Sequence, residues 1–324
     1  MDIGFIGLGS IGSRIASNIA KAGHQLVVHD IRAEATETLR AKGAVVALSA
    51  AEVASRSDVI FTSLPGPAEV ELVARGQNGI LDGIRSGGIY VDLSTRRKEW
   101  ICEIEPWFNK KGASVMEAPL SVGGNPRFGR TCGVLMIGGD RKVYETLKPL
   151  FLTFSDRLVF CGPLGAGTVA KLSHNMIGNA VRLAIAEGLV LAAKAGVDPL
   201  VAWECLRHGV VGKVTVGSMA VGSLKGNFES PPGGFPFALA RKDLGLATEL
   251  AKSLNVPVGV HMATEAVASQ AMIKGYGDKN PMGALYLIQE DIAGVQARNP
   301  AADLAATPEF ITVHPDLLSE GSPD

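Results

Sequence analysis

The sequence predicts an α/β protein in which a doubly wound sheet is followed by an all-α domain. Three observations favour this class. Short apolar runs typical of buried strands alternate with helical patterns over the first half of the chain. Beyond residue 167 the strand-like runs stop and apolar residues recur at helical spacing. A length of 324 residues also exceeds the size at which a single core keeps growing, so two domains are expected.

The first half supplies the elements of the sheet. Strands are predicted at residues 3–6, 25–30, 44–48, 59–64, 89–94, 113–118 and 134–139. An amphipathic helix over residues 10–23 ends on Gly23, and a polar helix over residues 32–43 ends on Gly43. Strands that alternate with helices form parallel sheets with right-handed crossovers, which is the doubly wound arrangement.

The second half is predicted to be helical throughout. A long helix begins near residue 168 and reaches about residue 195, and further helices follow around residues 199–208, 213–225, 237–254, 257–274 and 281–297. The expected domains are therefore residues 1–163, which hold the sheet, and residues 164–298, which are all-α. The tail over residues 299–324 is rich in proline and alanine, and we expect it to pack loosely on the surface.

Composition narrows the class of partner. Lys plus Arg (31) nearly balances Asp plus Glu (32), so no basic field favours a nucleic acid and a small molecule is the expected partner. The N-terminus begins as a strand rather than a signal peptide, and no apolar run predicts a membrane span. The histidines lack metal-ligand spacing, and the cysteines lack CxxC spacing, which indicates a reduced, cytoplasmic protein with packing cysteines. These cysteines are Cys102, Cys132, Cys161 and Cys205.

A glycine turn follows the first predicted strand. In "FIGLGSIG", Gly7 allows a tight turn, Gly9 leaves room for a pyrophosphate, and Gly12 lets the next helix approach the sheet. The N-terminus of that helix attracts phosphate groups. The alternative is a purely structural glycine turn. The strand–turn–helix context favours a dinucleotide site, and the intervening Leu8, Ser10 and Ile11 belong to the same predicted site.

The second predicted strand ends in an acid, Asp30. An acid at this place accepts hydrogen bonds from the adenosine ribose hydroxyls and repels a 2′-phosphate, so NAD is favoured over NADP. Arg32 lies two residues further on and weakens that preference. The alternative for Asp30 is a helix N-cap. Gly165, Gly167 and Ala170 repeat the glycine pattern, but no second strand with a terminal acid follows, so they are interpreted as a hinge at the domain boundary.

A second glycine-containing loop, "EAPLSVGGNPRFG", follows the strand that ends near residue 118. The Ser121 hydroxyl and the amides of Gly123 and Gly124 could hold a carboxylate at the edge of the sheet. A flexible glycine-rich loop is the alternative.

Lys171 lies in the first turns of the mostly apolar long helix, with Asn175 one turn further on. A lysine there either extends its amine to water or serves chemistry. Removing a hydride from an alcohol requires removal of a proton, and a lysine desolvated in a cleft has a pKa lowered toward the useful range. A protonated His174 on the same helix would lower that pKa further; otherwise it faces solvent.

Together these segments resemble one family. "GFIGLGSIG", "SLP" (63–65), "DLST" (92–95), "APLSVGG" (118–124), "GAGTVAKLSHN" (165–175) and "ARKDLGLA" (240–247) are similar in order and spacing to the β-hydroxyacid dehydrogenases, which include 3-hydroxyisobutyrate dehydrogenase and tartronate semialdehyde reductase. The resemblance covers about residues 1–295. It implies a Rossmann domain, an all-α domain that builds homodimers or homotetramers, and NAD(P)-dependent oxidation of a 3-hydroxy acid or reduction of the matching aldehyde or ketone.

The resemblance also implies roles for individual residues. Lys171 would be the catalytic acid/base, Asn175 would orient the substrate, and Ser121 with the following glycines would bind its carboxylate. The cofactor would be lined by Leu64, Pro65 and Thr95, and Lys242 would reach its nicotinamide end.

The sequence departs from the family pattern around the substrate loop. Val122 interrupts the usual Ser-Gly-Gly, and His174 replaces the first of two asparagines that usually follow the lysine. Arg127 could pair with a second anionic group on the substrate, or it could be a solvated loop residue. "STRRKE" (94–99) also lacks the family's proline.

Two other functions are compatible with this architecture, and the sequence argues against both. Imine reductases share the architecture but generally carry Asp or Tyr at the position of Lys171, which argues against them. A non-enzymatic cofactor-binding scaffold is disfavoured because Lys171, Asn175 and Ser121 are all present and no extra module is evident.

Overall fold

The computed structural model shows two compact units, Met1–Asn175 with Pro308–Asp324, and Met176–Thr307. The first unit extends past the expected boundary at residue 163 and includes the C-terminal segment. The residues that the structure describes are 1–122, 130–172, 174, 181, 184, 191–192, 194–197, 201, 205–206, 208–209, 211, 223, 225–231, 236–238, 240–241, 244, 248, 252, 255–294 and 311–316.

Six parallel strands form the main part of the sheet in the first unit. They are β1 (Asp2–Ile6), β2 (Gln25–His29), β3 (Val45–Val46), β4 (Val59–Thr62), β5 (Ile89–Asp92) and β6 (Ser114–Glu117). Their order is β3-β2-β1-β4-β5-β6, and all five neighbouring pairs are parallel. This order confirms the predicted doubly wound sheet, with its topological switch point between β1 and β4.

Adjacent residues of each strand enter different hydrophobic clusters. Phe5, Phe61 and Val91 belong to one cluster, whereas Ile6, Ile60 and Tyr90 belong to the other. Successive side chains of a strand point to opposite faces, so each cluster lies on one face of the sheet. Burial on both faces explains why these strands read as continuous apolar runs rather than alternating ones.

Helices connect the strands. They are α1 (Gly12–Lys21), α2 (Glu37–Arg40), α3 (Ala50–Ser55), α4 (Pro67–Arg75), α5 (Ile80–Gly83), α6 (Lys98–Lys110) and α7 (Arg141–Leu152). The polar helix predicted over residues 32–43 is shorter in the structure. A 3₁₀ turn, Ala33–Thr36, precedes α2, and the Thr36 hydroxyl donates to the Ala33 carbonyl at 2.7 Å. Such local bonding competes with regular helix formation.

The far edge of the sheet is mixed. It contains β7 (Leu120–Val122), β8 (Cys132–Gly138), β9 (Ser155–Gly162) and β10 (Ile311–Val313). β8 is antiparallel to β6 and to β7 and parallel to β9, and β10 is antiparallel to β9.

Part of the C-terminal tail is bonded to the sheet, in contrast to the loose packing expected from its composition. β9 presents an open edge whose backbone groups need partners, and β10 satisfies them. The Tyr144 hydroxyl lies 2.9 Å from Oγ1 of Thr312. Arg130, which is nearly buried, donates to Oδ2 of Asp316 at 2.8 Å. The tail therefore contributes to the first unit a strand and an ion pair in which Arg130 is buried and Asp316 is half exposed.

The second unit is helical in its described residues, which confirms the predicted all-α domain. The helices with described bounds in this unit are α8 (Gly259–Ile273) and α9 (Pro281–Ala293). The Asn280 side chain caps α9 by accepting from the Gly283 amide at 2.7 Å, and Gly294 ends it in a left-handed conformation. A small core of Phe237, Ala268, Ala271, Ala284 and Ile288 lies between these helices.

Candidate functional site

The glycine turn after β1 has the geometry that a dinucleotide requires. Gly7 has a φ of +90°, and a Cβ there would lie 2.4 Å from the Ser63 carbonyl oxygen. A Cβ on Gly12 would lie 2.0 Å from the Gly7 carbonyl oxygen, whereas a Cβ on Gly9 would meet nothing within 4 Å. Gly7 and Gly12 are therefore glycines because the protein leaves no space, and Gly9 borders open space where a ligand can approach the backbone.

A cavity of about 750 Å³ opens beside this turn at the switch point of the sheet. Its volume and largely apolar lining suit a cofactor. The predicted cofactor residues that line it are Gly7, Gly9, Ser10, Ile11, Gly12, Asp30, Leu64 and Pro65. Leu8 does not line the cavity; its side chain is in the core.

Two apolar side chains that sequence reasoning missed also line the cavity. Ile31 is 93% exposed and Leu48 is 89% exposed, and both line the cavity together with Asp30. Exposed aliphatic side chains of this kind are suited to cover a planar base. Leu48 is fixed by a capping box at the start of α3, in which its amide donates to Glu52 at 2.8 Å and Ser49 accepts from the Glu52 amide at 3.1 Å. The signal in the sequence was an apolar residue directly before that S-x-x-E box.

Asp30 lies at the carboxyl end of β2, in the cavity wall. Its Oδ2 accepts from the Leu8 amide at 2.7 Å, and its Oδ1 accepts from the Arg32 amide at 2.9 Å. The Arg32 Nε lies 3.5 Å from Oδ1, and this arginine is largely exposed. Asp30 thus braces the glycine turn, and its carboxylate retains acceptor capacity for ribose hydroxyls, because each oxygen can accept more than one bond.

The loops after β4 and β5 meet beside the cavity. The Ser94 hydroxyl accepts from the Leu64 amide at 3.0 Å. Thr95, the predicted cofactor residue of "DLST", follows directly and is exposed. The structure therefore brings Leu64 close to the segment that carries Thr95, although Thr95 is outside the cavity lining.

Lys171 is partly buried within a helical segment, residues 166–172, which we name the Lys171 helix. Burial lowers the pKa of the Lys171 amine. The His174 side chain is exposed. Gly165 has a φ of +94°, and a Cβ on Gly167 would lie 2.3 Å from the Met136 carbonyl oxygen. Gly167 therefore lets the start of the helix pack against β8, and the hinge at these glycines stays a prediction.

Ser121 and His174 come together in the first unit. The Ser121 hydroxyl lies 3.4 Å from Nε2 of His174, which is one helical turn beyond Lys171. β7 shifts register between Ser121 and Val122, and the Val122 side chain points to solvent. The extra residue noted in the sequence is thus accommodated as a β-bulge.

A buried polar cluster lies at the carboxyl ends of β5 and β6 and was not predicted. Asp92 and Arg96 form an ion pair, and both side chains are fully buried. Glu117 is also fully buried and accepts a short hydrogen bond from Thr168. Burial lowers the pKa of the Arg96 guanidinium. The signal in the sequence was an acid at the end of each of two otherwise apolar strands.

Five of the predicted site residues lie outside the described residues. These are Gly123, Gly124, Arg127, Asn175 and Lys242. Within the described part of the chain, no group of three or more His, Cys, Asp or Glu side chains could hold a metal ion. None of the helices described has the length and apolar character that crossing a bilayer requires. All four cysteines are unpaired.

Comparison with known families matches almost the whole chain. Residues 2–162 match the NAD binding domain of 6-phosphogluconate dehydrogenase. Residues 165–288 match the NAD-binding domain of NADP-dependent 3-hydroxyisobutyrate dehydrogenase. The first match ends at residue 162 and the second begins at residue 165.

Individual proteins agree with these matches. A probable mitochondrial 3-hydroxyisobutyrate dehydrogenase of Dictyostelium discoideum is 34% identical over 286 residues, which is 86% of this chain and 88% of that relative. The solved 3-hydroxyisobutyrate dehydrogenase of Mycobacterium tuberculosis with L-serine is 25% identical, covers 89% of this chain and 99% of its own, and has a TM-score of 0.59. An imine reductase from Myxococcus stipitatus with NADP+ is 16% identical, covers 89% of this chain and 100% of its own, and has a TM-score of 0.77. The last likeness concerns the fold alone.

Proposed function

Because the chain belongs to the 3-hydroxyisobutyrate dehydrogenase family of NAD(P)-dependent oxidoreductases acting on CH–OH groups, we propose that it oxidises a small 3-hydroxy acid with NAD and that Lys171 is the acid/base. In the reverse direction it reduces the matching semialdehyde or ketone. The observation that carries the proposal is the partly buried Lys171 amine with a pKa lowered by desolvation. Lys171 lies one helical turn before His174. The Nε2 atom of His174 is 3.4 Å from the hydroxyl of Ser121, which is proposed to bind the substrate.

The residues divide the work by position. Bound NAD supplies a hydride acceptor. The glycine turn and the N-terminus of α1 hold its pyrophosphate, and Asp30 accepts from the adenosine ribose hydroxyls. Leu64, Pro65, Thr95 and Lys242 are proposed to contact the cofactor.

Proton transfer is assigned to Lys171. Its neutral amine takes the proton of the substrate hydroxyl during oxidation, and its ammonium returns that proton during reduction. Ser121 and the amides of Gly123 and Gly124 bind the substrate carboxylate. Asn175 orients the substrate, and Arg127 is proposed to pair with a second anionic group where the substrate has one.

NAD is proposed over NADP because Asp30 places a carboxylate where NADP carries its 2′-phosphate. A carboxylate and a phosphate that are close together repel each other, because both are negatively charged. The exposed Arg32 could offset that repulsion, but it is already near Asp30, with 3.5 Å between Nε and Oδ1. The net effect favours the uncharged ribose.

The first experiment measures initial rates of NAD+ reduction for the wild type, Lys171→Ala and the control Lys111→Ala. Lys111 is an exposed lysine at the end of α6. The substrates are 3-hydroxyisobutyrate, D-glycerate, serine, L-threonate, 2-hydroxymethylglutarate and a hydroxypropane sulfonate. Turnover by the wild type and the control that is lost in Lys171→Ala, with NAD affinity kept, supports the proposal. Activity that survives in Lys171→Ala contradicts the role of the lysine.

The alternative function is that of an imine reductase, a class that shares this fold, as the Myxococcus stipitatus enzyme shows. The shared fold does not assign the function, and Lys171 differs from the Asp or Tyr usual in those enzymes. Reduction of a cyclic imine by NADPH, without oxidation of any hydroxy acid, would favour it. Tight NAD binding with no turnover of either class would favour a cofactor-binding scaffold. The homodimer or homotetramer and the cytoplasmic location stay predictions, and light scattering of the purified chain tests the oligomer.

A further inference from the structure

The carboxyl ends of β5 and β6 hold one guanidinium between two carboxylates. Arg96 Nη1 donates a short hydrogen bond to Asp92 Oδ2, and Arg96 Nη2 lies 3.9 Å from Glu117 Oε2. The Arg96 Nη1 also donates to the Ser94 carbonyl at 3.2 Å. On its other side, the guanidinium lies over the Trp100 ring, with 5.3 Å between Cζ and the ring centroid.

This cluster is an inefficient way to stabilise a fold. Two acids and one arginine leave a net negative charge, and desolvating each ion opposes folding. Arg96 Nε, Arg96 Nη2 and Glu117 Oε1 have no hydrogen-bond partner among the described residues. Apolar side chains of similar volume would fill the space at least as well. The cluster therefore calls for an explanation in terms of geometry.

The cluster connects to the Lys171 helix through Thr168. The Thr168 hydroxyl is fully buried and donates a short hydrogen bond to Glu117 Oε2. Thr168 is three residues before Lys171, so the two residues share a side of the helix. The hydrogen bond thus fixes the turn of helix that directly precedes the proposed catalytic amine.

The cluster also connects to the loops beside the cofactor cavity. Asp92 Oδ1 accepts from the Ser94 amide and from the Thr62 hydroxyl, each at 2.8 Å. Ser94 in turn accepts from Leu64, as described above. Buried hydrogen bonds, together with the 3.9 Å ion pair between Arg96 Nη2 and Glu117 Oε2, therefore join the segment that carries Thr95 to the Lys171 helix.

Two glycines let the helix approach the cluster closely. A Cβ on Gly138 would lie 2.5 Å from Glu117 Oε1, and a Cβ on Gly167 would lie 2.3 Å from the Met136 carbonyl oxygen. With no side chain at either place, the first turn of the Lys171 helix packs directly on β8. A small displacement of Glu117 is therefore transmitted to the helix rather than absorbed by intervening side chains.

We propose that Arg96, Glu117 and Thr168 form a positioning unit, which holds the Lys171 helix at a fixed place relative to the loop that carries Thr95. The Arg96 guanidinium attracts the Glu117 carboxylate across 3.9 Å, and Glu117 accepts the hydrogen bond of Thr168. The inference rests on the proposed function, in which Lys171 removes a proton while the hydride leaves. Such coupled transfer demands that base and acceptor be placed to within a fraction of an ångström.

The test compares Thr168→Val, which replaces the hydroxyl with a methyl group of similar size, with Thr168→Ser, which keeps the hydroxyl. Thr146→Val is the control, because Thr146 lies on the exposed side of α7 and its hydroxyl donates to the Lys142 carbonyl of the same helix, so the substitution breaks no contact between elements. The measurements use the full chain. Steady-state kinetics give kcat and the KM for NAD and for the hydroxy acid, and amide hydrogen exchange is followed over residues 166–172. A primary deuterium isotope effect on the transferred hydrogen reports whether the chemical step itself has slowed.

We expect Thr168→Val to lower kcat by roughly tenfold to a hundredfold. We expect KM for NAD to change by less than about twofold, because the glycine turn is untouched. The isotope effect and the exchange of residues 166–172 should both increase. Thr168→Ser and Thr146→Val should match the wild type. Glu117→Gln, which keeps an acceptor for Thr168 but loses the charge facing Arg96, should give a smaller change in the same direction and serves if Thr168→Val does not fold.

The outcomes separate this inference from the proposed function. An active wild type with unchanged kcat and exchange in Thr168→Val overturns the positioning unit and leaves the proposed function intact. Equal damage in Thr168→Ser also overturns it, because packing and not the hydroxyl would then matter. If the wild type oxidises no hydroxy acid, the proposed function fails, and amide hydrogen exchange over residues 166–172 then tests the positioning unit by itself. Faster exchange confined to Thr168→Val supports the unit, and equal exchange contradicts it.

Discussion

The cofactor cavity and the buried polar cluster of Asp92, Arg96 and Glu117 lie at the carboxyl ends of strands in the same sheet, yet they are built in opposite ways. The cavity is lined by the backbone of three glycines, by a helix N-terminus and by exposed apolar side chains. The polar cluster consists of charged side chains that are fully removed from solvent. Backbone amides can hold any phosphate of the right shape, whereas a general base requires a defined place and a defined pKa. The difference indicates where each kind of substitution should act.

The largest effect should come from Lys171→Ala. We expect kcat for hydroxy-acid oxidation to fall about a hundredfold or more, because general acid–base catalysis contributes on the order of 10² to 10⁴ in rate. The Kd for NAD should stay within about twofold, because the cavity does not include this residue. Initial rates and fluorescence titration with NADH measure the two quantities. A parallel loss of NAD affinity would show that the two regions are not separable.

The pH dependence should follow the lowered pKa of Lys171. Burial disfavours the ammonium, so the amine loses its proton at a lower pH than an exposed lysine, whose pKa is about 10.4. For oxidation, kcat/KM should rise about tenfold per pH unit and level off above this lowered pKa, since the neutral amine is the base. For reduction it should fall above the same pKa, since the ammonium is the acid. A profile without this inflection, or one retained in Lys171→Ala, would assign the titration to another group.

A substitution at Gly9 should act on the cavity alone. Its Cβ would meet no protein atom within 4 Å, so Gly9→Ala should keep the melting temperature while raising the Kd for NAD about tenfold, because the methyl group stands between the backbone and the pyrophosphate. Gly12→Ala is the contrasting variant. Its Cβ would lie 2.0 Å from a backbone oxygen, so it should lower the melting temperature as well. Calorimetry measures the melting temperature of both variants, and NADH titration measures their cofactor affinity. An equal loss of melting temperature in the two variants would contradict the prediction that Gly9 acts on the cavity alone.

The two regions also differ in how far they could be predicted from sequence. Gly7, Gly9, Gly12 and Asp30 could be predicted because each answers a local constraint of one strand–turn–helix unit. The buried polar cluster and its bond to Thr168 could not be predicted, since Thr168 and Glu117 are 51 residues apart in the sequence. Only the register of β5 and β6, in which Asp92 lies opposite Glu117, brings the acids together.

Other elements were missed for similar reasons. β10 forms because β9 has an open edge, which the composition of the tail does not reveal. β7 was missed because it is three residues long and follows β6 almost directly. Lys171 was proposed as the base from its place in an apolar helix and from the resemblance, and the lowered pKa expected from desolvation agrees with the partial burial of this residue in the structure.

The smallest of these effects should come from Asp30→Asn. The amide keeps one acceptor for the Leu8 or Arg32 amides and removes the negative charge, so the glycine turn should remain folded. We expect the Kd for NADP to fall relative to that for NAD by about fivefold, since loss of one like-charge repulsion at a solvated site contributes on the order of 1 kcal/mol. Arg32→Ala is the paired variant: it should shift the ratio the other way, because the arginine is the only cation lining the cavity within the described residues. Competitive titration with NAD and NADP measures the ratio. An unchanged ratio in Asp30→Asn would mean that the carboxylate braces the turn and takes no part in cofactor choice.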